Sequence, residues 1–329
     1  MPKIVRFHET GPADVLKVED LPLQEPRANE VRIKVEAIGL NRAEVMFRRG
    51  MYLEQPRLPA RLGYEAAGVV DAIGPGVIEI KVGDRVSVVP SFSLNEYGTY
   101  GERVVVPAAA AVRYPQHLSP TEATSIWMQY LTAWGALIHY GNIKAGDFVL
   151  ISAASSSVGL AAIELTRLAG AKPIATTRGS SKKQALLDAG AYAVIATQEE
   201  DLSRRVAEIT DGKGANLIFD PVGGKFLESL AQAAAPRAQI IEYGALAPEP
   251  TPYPLFTALS KGLVIRAYVL YEFVFEPAIR KRAEEYVFRQ LEKRNLHPRI
   301  DRTFPLAQIV EAHRYMESNQ QNGKIVVTV

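Results

Sequence analysis

The stretch Asp147-Phe148-Val149-Leu150-Ile151-Ser152, running into Ala153-Ala154-Ser155-Ser156-Ser157-Val158-Gly159, decides the fold. An apolar run of strand length meets a turn built from alanine and serine, and Val158–Ala169 then carries a helical pattern. Downstream the two textures alternate. Strands are predicted at Ala171–Thr177, Tyr192–Thr197, Leu217–Asp220, Gln239–Tyr243 and Leu263–Val269, and helices at Ser181–Ala189, Glu199–Ile209 and Gly224–Ala234. Strands alternating with helices of about three turns predict an α/β domain with a doubly wound parallel sheet.

Upstream the texture is that of β structure. Short runs at Val31–Val35, Ala67–Ile73, Arg85–Pro90 and Gly101–Val106 are separated by turns such as Gly74-Pro75-Gly76 and Val82-Gly83-Asp84. Glycine supplies positive φ in such turns and proline pre-sets its own. Strands so short and closely spaced predict a compact, barrel-like β domain. The change comes at Ser119-Pro120-Thr121-Glu122, an N-cap with proline in the first turn, which opens the apolar stretch Ala123–Ile138. Beyond the alternating region, helices are expected at Glu276–Arg294 and Leu306–Asn319 and a strand at Gly323–Thr328. The expected organisation is therefore a β-rich part over 1–118, an alternating α/β domain over 119–264, and a segment over 265–329 that returns to the first part.

Composition narrows the function. The chain has 329 residues, 47% hydrophobic and 22% charged, the balance of an ordinary globular protein with a sizeable core. A net charge of +2 is too small to argue for nucleic acid or an anionic membrane surface as partner, and neither is expected. Cysteine is absent, which removes disulfides, thiolate nucleophiles and sulfur-ligated zinc. The N-terminal residues lack the apolar run of a signal peptide, and the Ala/Val stretch Ala108–Val112 is far short of the ~18 apolar residues needed to cross a bilayer. A soluble, cytoplasmic protein is expected.

A turn between strand and helix is where a dinucleotide's pyrophosphate docks against backbone N–H groups and the positive end of the helix. Ser155, Ser156, Ser157 and Val158 are the candidates here. An NAD site usually carries an acid about 20 residues further on, for the ribose 2′-hydroxyl. No acid stands between Glu164 and Asp188, a window holding Arg167, Lys172, Arg178, Lys182 and Lys183. The second strand ends Ala175-Thr176-Thr177-Arg178, which puts a guanidinium where a carboxylate would repel a 2′-phosphate. Thr177, Arg178 and Lys182 therefore point to NADPH, the competing reading being solvated surface charges. Phe219–Gly224 and Glu242–Ala245 end later strands, so Val222, Gly244 and Ala245 either border the nicotinamide or are plain turns.

The motifs combine into a resemblance. Asn41-Arg42-Ala43-Glu44, Arg49-Gly50-Met51-Tyr52, Gly63-Tyr64-Glu65-Ala66-Ala67-Gly68-Val69-Val70, Gly83-Asp84-Arg85-Val86, Leu131-Thr132-Ala133-Trp134 and Gly323-Lys324-Ile325-Val326-Val327 run in order with the Ser155–Gly159 turn. Together they resemble the quinone oxidoreductase branch of the medium-chain dehydrogenases/reductases over nearly the whole chain. The resemblance implies a GroES-like catalytic domain built from both chain ends, a central Rossmann domain, and a homodimer or larger homo-oligomer. Tyr64 stands where the zinc alcohol dehydrogenases of this superfamily carry a metal-binding His. With no cysteine and with His8, His117, His139, His297 and His313 scattered, no metal site is expected.

The resemblance further implies a zinc-independent, NADPH-dependent reductase whose small-molecule acceptor is a quinone or an α,β-unsaturated carbonyl. Hydride addition to a conjugated acceptor leaves an enolate-like oxygen that needs only hydrogen-bond donors and a proton. By family position Asn41, Tyr52 and Tyr64 are the catalytic candidates, with Asn41 and Thr132 also near the cofactor. For the two tyrosines, aromatic lining of the substrate cleft stands as the alternative. For the whole chain, the alternative is an NADPH-binding redox sensor or interaction protein with little turnover.

Overall fold

The computed structural model describes all 329 residues, which divide into two compact units. One comprises Met1–Met128 with Pro298–Val329, the other Gln129–His297.

In the first unit, β1 (Lys3–Phe7), β2 (Leu16–Asp20), β3 (Glu30–Gly39), β4 (Ala60–Arg61), β5 (Glu65–Ile73), β6 (Arg85–Val88), β7 (Arg103–Pro107) and β8 (Ala111–Arg113) come from the N-terminal segment. A small antiparallel sheet has the order β2-β1-β4. The larger sheet is organised by β3, which pairs with both β5 and β7. Val31, Ile33, Val35 and Ala37 alternate along β3 and are buried, the period-two pattern of a strand facing a core. Register shifts at Arg32/Ile33 and Val35/Ala37 bend this strand, as bulges do where sheets curve. The helix Arg42–Arg48 has no clear sequence signal because its covered side includes two charges, Glu44 and Arg48. Asn41 and Glu44 form a capping box that starts it.

The second unit is a six-stranded parallel sheet of β9 (Phe148–Ile151), β10 (Lys172–Thr177), β11 (Ala193–Ala196), β12 (Ala215–Asp220), β13 (Ala234–Glu242) and β14 (Val264–Ala267). Its order is β11-β10-β9-β12-β13-β14. The chain runs outward from β9 to one edge, then crosses over to β12 and runs outward to the other. β9 and β12 therefore flank the topological switch point, and both are buried at the centre of the sheet. Leu150, Ile174, Ile195, Ile218 and Ile240 supply one face of its core, closed by Val206, Leu227 and Leu230 from helices Leu202–Ile209 and Phe226–Ala233. The stretch Ala123–Ile138, read as one apolar run, is broken up: a helix Trp127–Trp134 continues into a π-helical turn, Gly135–Tyr140. Gly135 packs so closely on Tyr268 and Phe273 that any β-carbon there would clash.

After helix Pro277–Glu292 the chain re-enters the first unit as β15 (Ile300–Pro305), helix Ile309–Glu317 and β16 (Lys324–Thr328). β16 pairs with β3, completing the order β15-β16-β3-β5-β6-β8. The structural divisions fall after Met128 and after His297, not after 118 and 264 as the sequence texture suggested. Hydrogen bonds explain both positions. The Trp127 indole donates to Ser87 Oγ at 2.8 Å and the Met128 N–H to Glu65 at 2.9 Å, which holds this segment to the first unit. At the other crossing, Glu164 accepts from the Tyr130 hydroxyl at 2.7 Å and from the His297 N–H at 3.2 Å.

Candidate active site

In the first unit the two chain ends meet at a buried polar centre. Lys324, at the start of β16, donates to Asn41 Oδ1 at 2.7 Å and to Glu65 Oε2 at 2.5 Å. Both members of this ion pair are only 1% exposed. Asn41 returns its amide N–H groups to Gly39 O at 3.2 Å and Glu65 Oε2 at 3.2 Å. Glu44 then gathers the Asn41 N–H at 2.7 Å, the Tyr64 N–H at 2.9 Å and the Tyr100 hydroxyl at 2.6 Å. Burial raises the Glu44 carboxyl to about 7 in spite of these donors. Tyr100 reaches His313 Nε2 at 3.1 Å, and Arg48 meets His313 Nδ1 at 2.9 Å. Burial first, and then the charges of Arg48 and Arg42, push His313 down to about 3, so its ring is neutral.

Of the sequence candidates in this unit, Asn41 and Tyr64 are brought together through Glu44. The Asn41 amide is held on both its oxygen and its nitrogen by buried groups. The Tyr64 side chain is fully covered and lies against Phe92, ring centroids 6.1 Å apart. Tyr52 is half-buried in the loop after helix Arg42–Arg48. No trio of His, Asp or Glu side chains has the grouping of a metal site.

In the second unit the serine turn lies at the carboxyl end of β9, beside the switch point. Ala153 takes φ 45°, a left-handed conformation that a non-glycine residue adopts at a cost and that tightens the turn. Ser156 caps helix Ser157–Leu168, its Oγ accepting the Gly159 N–H at 3.0 Å. A β-carbon on Gly159 would stand 2.6 Å from the Ala154 backbone, so only glycine lets the helix sit this close to the turn. The first-turn N–H groups of Ser157 and Val158 have no partner along the helix and carry its positive end. From beyond β10, Lys182 swings its ammonium to Ser155 Oγ at 3.2 Å. Thr177 ends β10, and Arg178 follows it, exposed. Lys183, from the same basic window, is paired with Glu200 at 2.6 Å. Thr132 is buried in helix Trp127–Trp134.

The turns after β12 and β13 fold onto each other. The Leu246 N–H donates to Pro221 O at 3.0 Å and the Ala247 N–H to Val222 O at 2.9 Å. Gly244 approaches Pro221 so closely that a β-carbon would lie 2.9 Å from its carbonyl oxygen. This places Val222, Gly244 and Ala245 in one loop cluster. It also reveals two residues that sequence reasoning passed over, because parallel register sets Asp220 directly opposite Glu242 at the carboxyl ends of their strands. Ser152 donates to Asp220 Oδ1 across the switch point, and the Gly223 N–H donates to Oδ2 at 2.7 Å. A strand-end acid is visible in a sequence, but the identity of its lateral neighbour is not.

Comparison with known proteins places this geometry. Residues 27–116 match the alcohol dehydrogenase GroES-like domain and residues 157–286 the zinc-binding dehydrogenase domain. A quinone oxidoreductase of Pseudomonas aeruginosa is 30% identical over 328 residues, covering 99% of both chains. The chain belongs to the quinone oxidoreductase branch of the medium-chain dehydrogenase/reductase superfamily. The rat synaptic vesicle membrane protein VAT-1 homolog is 30% identical over 335 residues, covering 96% of this chain and 81% of that one. The crystal structure of Escherichia coli quinone oxidoreductase complexed with NADPH matches with TM-score 0.92 and 29% identity, covering 99% and 100% of the two chains. Within this quinone oxidoreductase family the chain carries the six-stranded parallel sheet and the GroES-like β-rich unit expected of it. No helix is long and apolar enough to cross a membrane.

Proposed function

We propose that this protein is an NADPH-dependent reductase that delivers hydride to a conjugated acceptor, a quinone or an α,β-unsaturated carbonyl. The observation that carries the reading is the Lys182 ammonium reaching Ser155 at the N-terminus of helix Ser157–Leu168, with Arg178 at the tip of β10. A helix N-terminus, a turn of small side chains and two cations at the end of the second strand are suited to a pyrophosphate and a 2′-phosphate. NADPH named in a structural relative's complex supports the same choice. On this reading Ser155, Ser156, Ser157 and Val158 bind the pyrophosphate. Thr177, Arg178 and Lys182 bind the phosphorylated ribose, while Val222, Gly244, Ala245 and Thr132 border the nicotinamide.

The bound cofactor supplies the hydride; the protein binds, orients and shields. Tyr52, the least enclosed of the three family-position candidates, is the proposed hydrogen-bond donor to the acceptor oxygen as negative charge develops on it. Tyr64 is proposed as lining. Asn41, with its amide held by Lys324 and Glu65, is proposed to keep the backbone around Gly39–Leu40 in place rather than to move a proton. Cytoplasmic residence and a homodimer belong to this reading too. β14 is an edge strand, and Val264, Phe256 and Leu259 near it are exposed apolar side chains of the kind an interface covers; light scattering gives the mass.

The deciding experiment is steady-state oxidation of NADPH and of NADH against a panel of quinones and enones. Turnover with a preference for NADPH is expected. Tight nucleotide binding with no turnover of any acceptor would instead favour the sensor reading.

A further inference from the structure

Asp220 and Glu242 are an unusual pair for the centre of a sheet. They stand opposite one another on β12 and β13, at the strand ends where ligands of open parallel sheets bind. Asp220 is fully covered, and Glu242 keeps a buried oxygen, Oε1, with no hydrogen-bond partner. No lysine or arginine forms an ion pair with either. Directly after β9 the neighbour is the neutral Ser152, and in the turn after β12 it is the Gly223 N–H. Directly after β13, Tyr243 stacks on Phe219 of β12, centroids 3.9 Å apart. β14 sets Ala267 against Glu242, and the adjacent Arg266 is engaged by Glu272 and by the ring of Tyr140. Two carboxylates side by side, one fully covered and the other half-buried, with no cation paired to either, cannot both be ionised cheaply. Burial and the negative charge of Asp220 push the Glu242 carboxyl up to about 9.

The carboxyl edge of a sheet at its switch point is where a nicotinamide nucleotide lies, and the two redox forms of that nucleotide differ by one positive charge on the ring. A cation nearby favours the ionised form of an acid. We propose that Asp220 and Glu242 share one proton and couple nucleotide binding to protonation, keeping that proton beside a neutral dihydronicotinamide and releasing it to solvent beside the cationic, oxidised ring. The inference rests on the proposed cofactor and extends its role. The pair thereby biases the protein toward holding NADPH at low pH and NADP⁺ at higher pH. A shift of about one pKa unit between the two complexes would change the ratio of their affinities about tenfold across the titration.

Calorimetric titration in buffers of different ionisation heat, between about pH 7 and 9, counts protons directly. Both nucleotides carry the same 2′-phosphate, whose second ionisation lies near ~6, so the difference between them isolates the ring charge. NADP⁺ is expected to release more protons than NADPH, by roughly half to one proton, and Glu242→Gln is expected to abolish the difference while both nucleotides still bind. Equal proton counts for the two nucleotides in the wild-type protein overturn the inference. So does a difference that survives in both Glu242→Gln and Asp220→Asn. If neither variant folds, the wild-type ratio of dissociation constants decides, since a ratio constant over the same pH range is incompatible with the pair's role. Failure of the wild-type protein to bind either nucleotide overturns the cofactor reading itself, a different result from binding without proton linkage.

Discussion

Replacing Lys324 with methionine tests the centre of the first unit. The lysine is 1% exposed and pairs with an equally buried Glu65 at 2.5 Å. Methionine keeps most of the aliphatic stem, so the loss is electrostatic. The Glu65 carboxylate would retain the Met128 N–H at 2.9 Å and the Asn41 amide at 3.2 Å, but no cation. Breaking a buried pair from one side costs about 3–5 kcal/mol, and the two remaining donors put the expectation near ~3 kcal/mol. Asn41 Oδ1 loses its partner as well, which adds about 1 kcal/mol. Neutralising the other side too, in Lys324→Met with Glu65→Gln, should restore more than half of the loss, because no charge is then stranded. Each unit has its own tryptophan, Trp127 in the first and Trp134 in the second. The Trp134 indole N–H is buried without a hydrogen-bond partner, so Trp134→Phe removes no bond and leaves Trp127 to report the first unit alone. Urea unfolding followed by Trp127 fluorescence, in that background, measures the change. A single-mutant loss below about 1 kcal/mol, or a double mutant as weak as the sum of the two singles, would refute the claim that this pair is buried and mutually dependent.

Other perturbations have equally definite outcomes. Arg178→Ala should weaken NADPH by about 1.5–3 kcal/mol, the range for a hydrogen bond to a charged group, and leave NADH nearly unchanged; equal losses in direct binding would remove Arg178 from phosphate recognition. Gly159→Ala forces a β-carbon to 2.6 Å from the Ala154 backbone and should cost about 1–3 kcal/mol together with nucleotide affinity; a variant that binds normally would mean the turn is not the phosphate site. His313 is held near 3 against an ordinary 6.5, so its contribution is present above 6.5 and lost as pH falls toward 3. At pH 5 the loss is about 2 kcal/mol. Glu44, raised to about 7 from 4.5, has the opposite sign: its contribution is complete below 4.5 and lost as pH rises through 7. His313→Gln should therefore remove the acid-side loss and leave stability falling from pH 5 to 7; identical pH profiles for variant and wild type would contradict a neutral buried imidazole.

The α/β alternation was legible because each strand of the second unit is short, apolar and separated from the next by an amphipathic helix or a polar turn. Such periodicity is local, and so is the chemistry of a serine turn before a helix. The proposed cofactor preference was read in the same local way, from Arg178 and Lys182 at fixed distances along the chain from the turn. The absence of cysteine, and Tyr64 in place of a histidine, likewise needed no coordinates.

What only tertiary structure decided is which distant residues become neighbours. Helix Arg42–Arg48 escaped notice because its buried residues include Glu44 and Arg48, and those charges are tolerable only where Tyr100, His313 and Glu317 come to meet them. The divisions after Met128 and His297 depend on hydrogen bonds to Ser87, Glu65 and Glu164 across long stretches of sequence. The facing of Asp220 and Glu242 is set by parallel register alone. Sequence specifies the period and polarity of each element, which are properties of adjacent residues. Register, burial and the pairing of charges belong to contacts between elements, and no single stretch of chain contains them.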